Sequence, residues 1–584
     1  MSHDIFFSYL KQAHLSLNNN EIYTFFYLKI EPIFNFIIKI NTLQKEFSLL
    51  TNLIFYFLLL SFIIIRKKIV SKVFSIAASL YKYHMKKKEN QLVDKANSLI
   101  KDAFFNEDDK KKSKKIIDFK KEKQDLIFIE KKITKLSEGS EANIDKVNGK
   151  LFFNSENSDC NYLSSKASEY FSFFNPLHPD VFGSIRMVES ELIKVFLERF
   201  SGIGDDFCGC TTSSPTENVI LMLRAYKGYS KKSNQIPEII LPESTCSMYF
   251  KTCIFMNINP ITVPVDSEGR MKIEDLKRIL YKKRKNNIIA VIAFYPNFTF
   301  GVSDKINELS ELCLSYKIPL HIDGTYGALI GAFRRNASLL NTKDSDKFDF
   351  SLKGVTSIST DLSKYGLSPI GVSLLLYRSK DIRKNQYYIY TNFQGGFYAT
   401  PGLSGSKTAA MIFAAYTNLV YFGYGKYEQQ SIEIISTVKT LKDKIKVHLN
   451  KNIEVVGKPE LSIISFYIKE NTMNIGHLYE KMKEKGWDLM IRFKKEKKKI
   501  KKSEESILFH DTLTLIVTPF NRTEVEDAFF EDLKSGVEII EKERKEGKGK
   551  EESKQISCLR FISQLPLEVQ MRCLKEYNDY RLDL

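Results

Sequence analysis

An α/β fold built on a largely parallel sheet is what this chain of 584 residues predicts, and three observations carry it. Short apolar runs rich in β-branched residues recur between residues 238 and 377. Stretches with helical spacing of apolar residues separate those runs. The composition is 43% apolar over a length too great for one compact core, which excludes both a disordered chain and a single small domain. Strands alternating with helices imply a sheet covered on both faces, with a ligand site at the C-terminal strand ends.

Taken in order, the chain opens with residues 1–46, which carry four basic and four acidic groups. Residues 47–65, FSLLTNLIFYFLLLSFIII, contain no charge and match the roughly 20 apolar residues that a spanning helix needs. Arg66, Lys67, Lys68 and Lys72 follow at once, so the positive-inside rule predicts a lumenal 1–46 and a cytosolic remainder. The earlier apolar stretch 22–40 contains Lys29, Glu31, Pro32 and Lys39 and reads as interfacial. Residues 66–147 read as a basic, mostly helical or flexible stalk. From 148 to 425 the alternation predicts strands at 238–241, 288–294, 318–322 and 372–377, with helices at 216–226, 273–281 and 304–316. A long helix at 428–449 then leads into a smaller α+β domain, 426–584, with a lysine-rich insertion at 492–507.

The net charge of +18 sits in two places. Residues 66–136 hold 21 basic against 10 acidic groups, and residues 492–502 hold 8 against 1. The folded body is therefore balanced, which argues against a nucleic-acid partner; the second run reads as a solvated insertion. The eight cysteines are scattered, and the one close pair, Cys208 and Cys210, has no second pair at zinc-ligand spacing. No metal site is predicted.

Between 150 and 425 there are only two histidines, His178 and His321, so a Ser-His-Asp or histidine-metal site has little to draw on. A core role is expected for His321. The same region holds HID, ending a strand at Asp323, and some forty residues later SLKGVTSISTDLSKYG, with Lys364 among small polar residues. A strand-end carboxylate and a lysine flanked by Ser/Thr are what a pyridoxal phosphate enzyme requires: the lysine forms the Schiff base and the aspartate keeps the pyridine nitrogen protonated. On spacing alone the signal is weak, since lysines in polar loops are usually just solvated.

From about residue 149 to 420 the chain resembles the sphingosine-1-phosphate lyases, in the group II decarboxylase family of pyridoxal phosphate enzymes. The resemblance rests on NPLHPDVF (175–182), CGCTTSSPTEN (208–218), IPLHIDGTYG (318–327), FDFSLKGVTSISTDLSKYG (348–366) and QGGFYATPGLSGSK (394–407), in the family's order and near its spacing. It implies a fold type I large domain and a pyridoxal 5'-phosphate cofactor held by Lys364 and Asp323. It places Thr216 and Ser214 in the phosphate turn, Cys246 at the ring face and Ser363 beside the lysine. Gly405 and Ser406 would reach the phosphate from a partner subunit, implying a homodimer with shared sites, and His178 would lie near the substrate phosphate or the reacting hydroxyl. The implied reaction is retro-aldol cleavage of a long-chain base phosphate between C2 and C3, by an enzyme anchored in the endoplasmic reticulum membrane.

Several positions depart from the family pattern around the cofactor. Ser363 stands where histidine precedes the lysine, Cys246 where histidine stacks on the ring, and Lys407 where arginine is usual. The phosphate turn reads SSPTE in place of SGGTE, and Pro215 removes a backbone donor; Phe152 stands in a loosely matched tyrosine position. A lost stacking ring costs about 1 kcal/mol, and a lost phosphate donor about as much or more. Two other readings therefore stay open, an amino-acid decarboxylase and a non-catalytic binding or structural homologue.

Overall fold

The computed structural model describes residues 83, 85–103, 125–138, 158–230, 235–282, 287–334, 347–469, 473–487, 489–494, 507, 510–519, 525–546 and 552–582. The chain divides into two units, Met1–Lys95 and Ala96–Leu584. In the first, residues 85–95 are helical. The expected spanning segment at 47–65, the segment 1–46, Phe152 and most of the lysine-rich insertion lie outside the described residues. Among the described residues no helix is long and apolar enough to cross a membrane.

The second unit is built on a seven-stranded sheet: β1 (Cys208–Thr212), β2 (Glu238–Pro242), β3 (Asn259–Val263), β4 (Ile288–Phe294), β5 (Leu320–Asp323), β6 (Val355–Asp361) and β7 (Ser373–Tyr377), in the order β1-β7-β6-β5-β4-β2-β3. The five strands from β3 to β6 pair in parallel, and β7 runs antiparallel to both β6 and β1. β4, IIAVIAF, is buried at every position after the first, as a strand covered on both faces must be.

Three differences from the sequence reading have local causes. β5 starts at Leu320, later than expected, because Lys317 takes a left-handed conformation and Ile318 N–H closes on Cys313 O, ending the helix Ile306–Tyr316. β6 carries Thr and Ser between its apolar residues, and Ser357, Ser359 and Thr360 are buried with their hydroxyls bonded, so a polar-looking segment is a central strand. β7 returns antiparallel because only residues 362–372 separate it from β6, short of the dozen or so that a parallel crossover takes.

A hairpin, β8 (Tyr388–Phe393) and β9 (Gly396–Thr400), follows with its residues largely exposed. The long helix Ala410–His448 is two helices joined at Gly423, whose φ of 61° and ψ of −180° break the helical path near the expected domain boundary. Beyond it, β10 (Ile453–Val455), β11 (Ile463–Ile468), β12 (Met490–Arg492) and β13 (Thr512–Ile516) form an antiparallel sheet in the order β10-β11-β13-β12. The helices Ile475–Glu484 and Phe530–Lys545 complete this smaller layer around the fully buried Trp487, whose indole N–H donates to Asp532. The small sheet is fastened to the segments beyond β4, β5 and β6: Ser465 Oγ donates to Thr299 O at 3.0 Å, Ser462 Oγ to Tyr326 O at 2.8 Å, and Tyr365 Oη to Val517 O at 3.0 Å.

Candidate active site

The C-terminal ends of β5 and β6 bring the two sequence-predicted groups to one edge of the sheet. Asp323 ends β5 and is in register with Phe294 of β4 and Ser359 of β6. Lys364 lies in the one-turn helix Leu362–Tyr365 that starts where β6 stops. Its Nζ sits 5.7 Å from the centre of the Tyr326 ring. Burial lowers the lysine's proton affinity, opposed by the charge of Asp361, and a lysine so placed is readier to act as a neutral amine. Asp361 caps the one-turn helix and accepts from Ser363 N, Ser363 Oγ and Ser373 Oγ at 3.1, 2.9 and 3.0 Å. The hydroxyl of Ser363 is thus spent on Asp361.

Asp323 is buried, which pushes its carboxyl up, while hydrogen bonds from Thr325 and Tyr249 pull it back down. Thr325 donates to Oδ1 through its N–H at 3.1 Å and its hydroxyl at 2.7 Å; Tyr249 Oη donates to Oδ2 at 3.0 Å. Cys246 precedes the helix Ser247–Met256 and is half-buried. Burial first, and the charge of Asp323 second, push its thiol well above the ordinary range, so it stays a neutral thiol.

His321, two residues before Asp323, is the satisfied core histidine the sequence suggests. Its ring nitrogens meet Ser357 Oγ at 2.7 Å and Ser359 Oγ at 3.1 Å, and burial pushes it down to about 3. It is neutral at physiological pH and takes no part in charge transfer.

The phosphate turn follows β1. Ser214 caps the helix Pro215–Tyr229, accepting from Glu217 N at 3.3 Å, and Pro215 occupies its first position, where a fixed φ suits the helix. Among the described residues, Ser214 N–H, Thr216 N–H and the Thr216 hydroxyl have no partner. Three unspent donors at the N-terminus of a fifteen-residue helix suit a dianion. The turn, the buried carboxylate and the lysine of lowered proton affinity together form a set of groups that fits a phosphorylated pyridine aldehyde.

His178 is exposed in the turn before the helix Gly183–Arg199, with its own carbonyl accepting from Val181 and Phe182 N–H. The structure does not join it to Lys364 or Asp323. It does join its loop to the glycine-serine segment: Asn175 Nδ2 donates to Ser406 Oγ at 3.0 Å, and Asn175 Oδ1 accepts from Leu177 N at 3.1 Å and Lys407 N at 3.4 Å. That segment also meets the phosphate turn of its own chain, with Leu403 N on Glu217 Oε1 at 3.2 Å and Lys407 Nζ on Thr211 O at 3.3 Å.

Sequence reasoning missed Tyr249, Thr325, Asp361, Glu217 and Asn175. Spacing held a signal for three of them. Tyr249 follows Cys246 by one helical turn, Thr325 is two residues beyond Asp323, and Asp361 is one turn before Lys364. Ser214 and Glu217 have capping-box spacing, but the bonds that join Asn175 to Ser406 and Lys407, and Glu217 to Leu403, cross about 190 to 230 positions and carry no local signal.

The family described as the pyridoxal-dependent decarboxylase conserved domain matches residues 242–469. A solved sphingosine-1-phosphate lyase of Burkholderia pseudomallei superposes with a TM-score of 0.64 over 78% of this chain and 99% of that one, at 22% identity, a likeness of fold. The fold is thus that of the pyridoxal phosphate-dependent decarboxylases and lyases, with a large mixed sheet flanked by helices, and pyridoxal phosphate is the cofactor. Sphingosine-1-phosphate lyase of Arabidopsis thaliana is 32% identical over 403 residues, 68% of this chain and 69% of that protein. Sphingosine-1-phosphate lyase 1 of Rattus norvegicus is 32% identical over 377 residues, 64% of this chain and 62% of the rat protein's length. The chain belongs to the sphingosine-1-phosphate lyase family.

Proposed function

We propose that the chain is a membrane-anchored lyase that cleaves sphingoid base 1-phosphates between C2 and C3, releasing a fatty aldehyde and phosphoethanolamine. The observation that carries the reading is the pairing of Asp323, at the end of β5, with Lys364, just beyond the neighbouring β6, both withdrawn from water in a chain of this family. The rat and Arabidopsis relatives, named for sphingosine 1-phosphate, support the substrate class.

When bound, pyridoxal phosphate supplies an aldehyde for the substrate amine and a ring that draws electrons from the C2–C3 bond. Lys364 would hold that aldehyde; its lowered proton affinity frees the amine to attack and, once displaced, to carry a proton. Asp323 would keep the ring nitrogen protonated. Ser214 and Thr216 would take the cofactor phosphate through the donors that are unspent at the turn. Cys246 would lie against the ring face as a small neutral thiol, and Ser363 would orient the Asp361 carboxylate that opposes the discharge of Lys364. His178, exposed and on a loop fastened to Ser406, would meet the substrate phosphate or take the proton of the 3-hydroxyl.

Two copies would share their sites, with Gly405 and Ser406 reaching the partner's phosphate. The hairpin supports this reading: Tyr388, Ile389 and Phe393 are exposed on it and Phe397 is 89% exposed, an apolar surface suited to a second copy. Residues 47–65 would anchor the enzyme in the endoplasmic reticulum membrane beside a substrate with an acyl-length tail, residues 66–147 serving as the stalk.

Incubation of purified protein with a long-chain base phosphate and, separately, with amino acids tests the activity. Release of a fatty aldehyde from the first is expected; carbon dioxide without aldehyde would make the chain a decarboxylase, and neither product would make it a non-catalytic homologue. Protease added to sealed microsomes should remove the mass beyond Arg66, and complete protection would reverse the orientation.

A further inference from the structure

Tyr249 stands where its hydroxyl matters to Asp323 and hardly at all to packing. The side chain is fully buried, and its ring meets Phe294 edge-on with centroids 5.6 Å apart. It belongs to the buried apolar cluster that also holds Val219, Met222, Leu241 and Cys253, so an unsubstituted phenyl ring would fill the same space. The hydroxyl goes to Asp323 Oδ2 at 3.0 Å.

A carboxylate offers about four acceptor sites, two on each oxygen. Both sites of Oδ1 are taken by Thr325, through its N–H and its hydroxyl. Room for a further donor therefore remains on Oδ2, the oxygen that Tyr249 already holds. We propose that Tyr249 is a positioning residue for the cofactor: by sharing Oδ2 with the pyridine nitrogen of pyridoxal phosphate it weakens the proton affinity of Asp323 and keeps the proton on nitrogen. The inference rests on the reading that Asp323 faces that nitrogen.

The sign follows from charge. A hydrogen bond to the ionised carboxylate stabilises the form without the proton, so its loss moves the shared proton from nitrogen towards oxygen. Burial acts in the opposite sense, favouring the neutral acid, and the donors from Thr325 and Tyr249 are what oppose it. The phenol remains a donor throughout, because burial and the neighbouring carboxylate push its ionisation well above the ordinary range.

The test is the ring-nitrogen resonance of holoenzyme loaded with 15N-labelled pyridoxal phosphate, compared among the native protein, Tyr249→Phe and Asp323→Asn. In Tyr249→Phe the resonance should move towards the unprotonated position by about a tenfold change in proton partition, with cofactor stoichiometry and circular dichroism unchanged. An unmoved resonance in Tyr249→Phe beside a shifted one in Asp323→Asn overturns the proposal and leaves the site reading intact. An unmoved resonance in both overturns the site reading as well. If Tyr249→Phe does not fold, Thr325→Val removes a hydroxyl donor from the other oxygen and should move the resonance in the same direction; a native resonance there also overturns the proposal.

Discussion

Replacing Pro215 by glycine should tighten cofactor binding while it weakens the protein without cofactor. Pro215 sits at the first position of the helix Pro215–Tyr229, between Ser214 and Thr216, whose N–H groups have no partner among the described residues. It is the one position in that run with no N–H to offer. A glycine there adds a third backbone donor at the positive end of a helix dipole. A hydrogen bond to a charged acceptor contributes about 1.5–3 kcal/mol, which is roughly tenfold to a hundredfold in Kd. The opposing effect acts on the unfolded chain, where glycine is freer than proline, and costs about 0.4–1 kcal/mol of stability. Glu217, in the same turn, is held by Ser213 N, Ser213 Oγ and Leu403 N, so it does not take up the new donor. Titration of the cofactor-free protein with pyridoxal phosphate, followed by fluorescence, gives Kd, and urea unfolding of the same sample gives the stability. Pro215→Ala separates the two effects, since it adds the donor with less flexibility. An unchanged or weaker Kd in both variants, with the fold intact, would refute the assignment of this turn to the cofactor phosphate.

Lys364→Ala should reduce lyase activity by orders of magnitude while the fold survives, whereas Lys353→Ala, at an exposed position, should retain the absorption of bound cofactor. Borohydride reduction and peptide mapping check this, and a label elsewhere with Lys364 unmodified refutes it. His321 has its folded pKa depressed to about 3, so the unfolded chain takes up a proton that the folded one refuses, and stability falls as pH drops from about 6.5 towards 3. His321→Gln should flatten urea-midpoint stability over that window by up to about 1.4 kcal/mol per pH unit. Asp304, pushed up to about 6 by burial, contributes stability that is lost as pH rises through that value, but it does so equally in both proteins. Parallel pH profiles for the two proteins would refute the buried, neutral assignment of His321.

What the sequence made legible follows from how local the determinants are. β4 declares itself by seven successive apolar residues, and the helix Ile273–Lys282 by the spacing of Ile273, Leu276 and Leu280, because burial on one or both faces is written directly in those patterns. Lys364 and Asp323 were legible as residue types in a motif. β1, CGCTT, was not, because an edge strand pairing only with β7 needs no β-branched run. β6 was hidden for a different reason: Ser357 and Ser359 face the ring of His321, so the buried alternation is polar. The antiparallel turn of β7 is a matter of connection length, and no periodicity encodes it. The clamp on Asp323 depends on Tyr249 arriving from a helix that follows another strand, a contact across 74 positions that only the folded sheet creates.

Asn175 ties segments more than 230 positions apart with one amide, its nitrogen on Ser406 and its oxygen on Leu177 and Lys407. From there Lys407 goes on to Thr211, and Leu403 to Glu217. The histidine loop, the glycine-serine segment and the first turn of the phosphate helix are consequently linked by one chain of hydrogen bonds, although none adjoins another along the chain. Release of the Asn175 amide should therefore raise amide exchange in the histidine loop and the glycine-serine segment together. A ligand that quiets the turn should therefore lower the exchange rate around His178 as well, a segment some forty positions earlier in the chain.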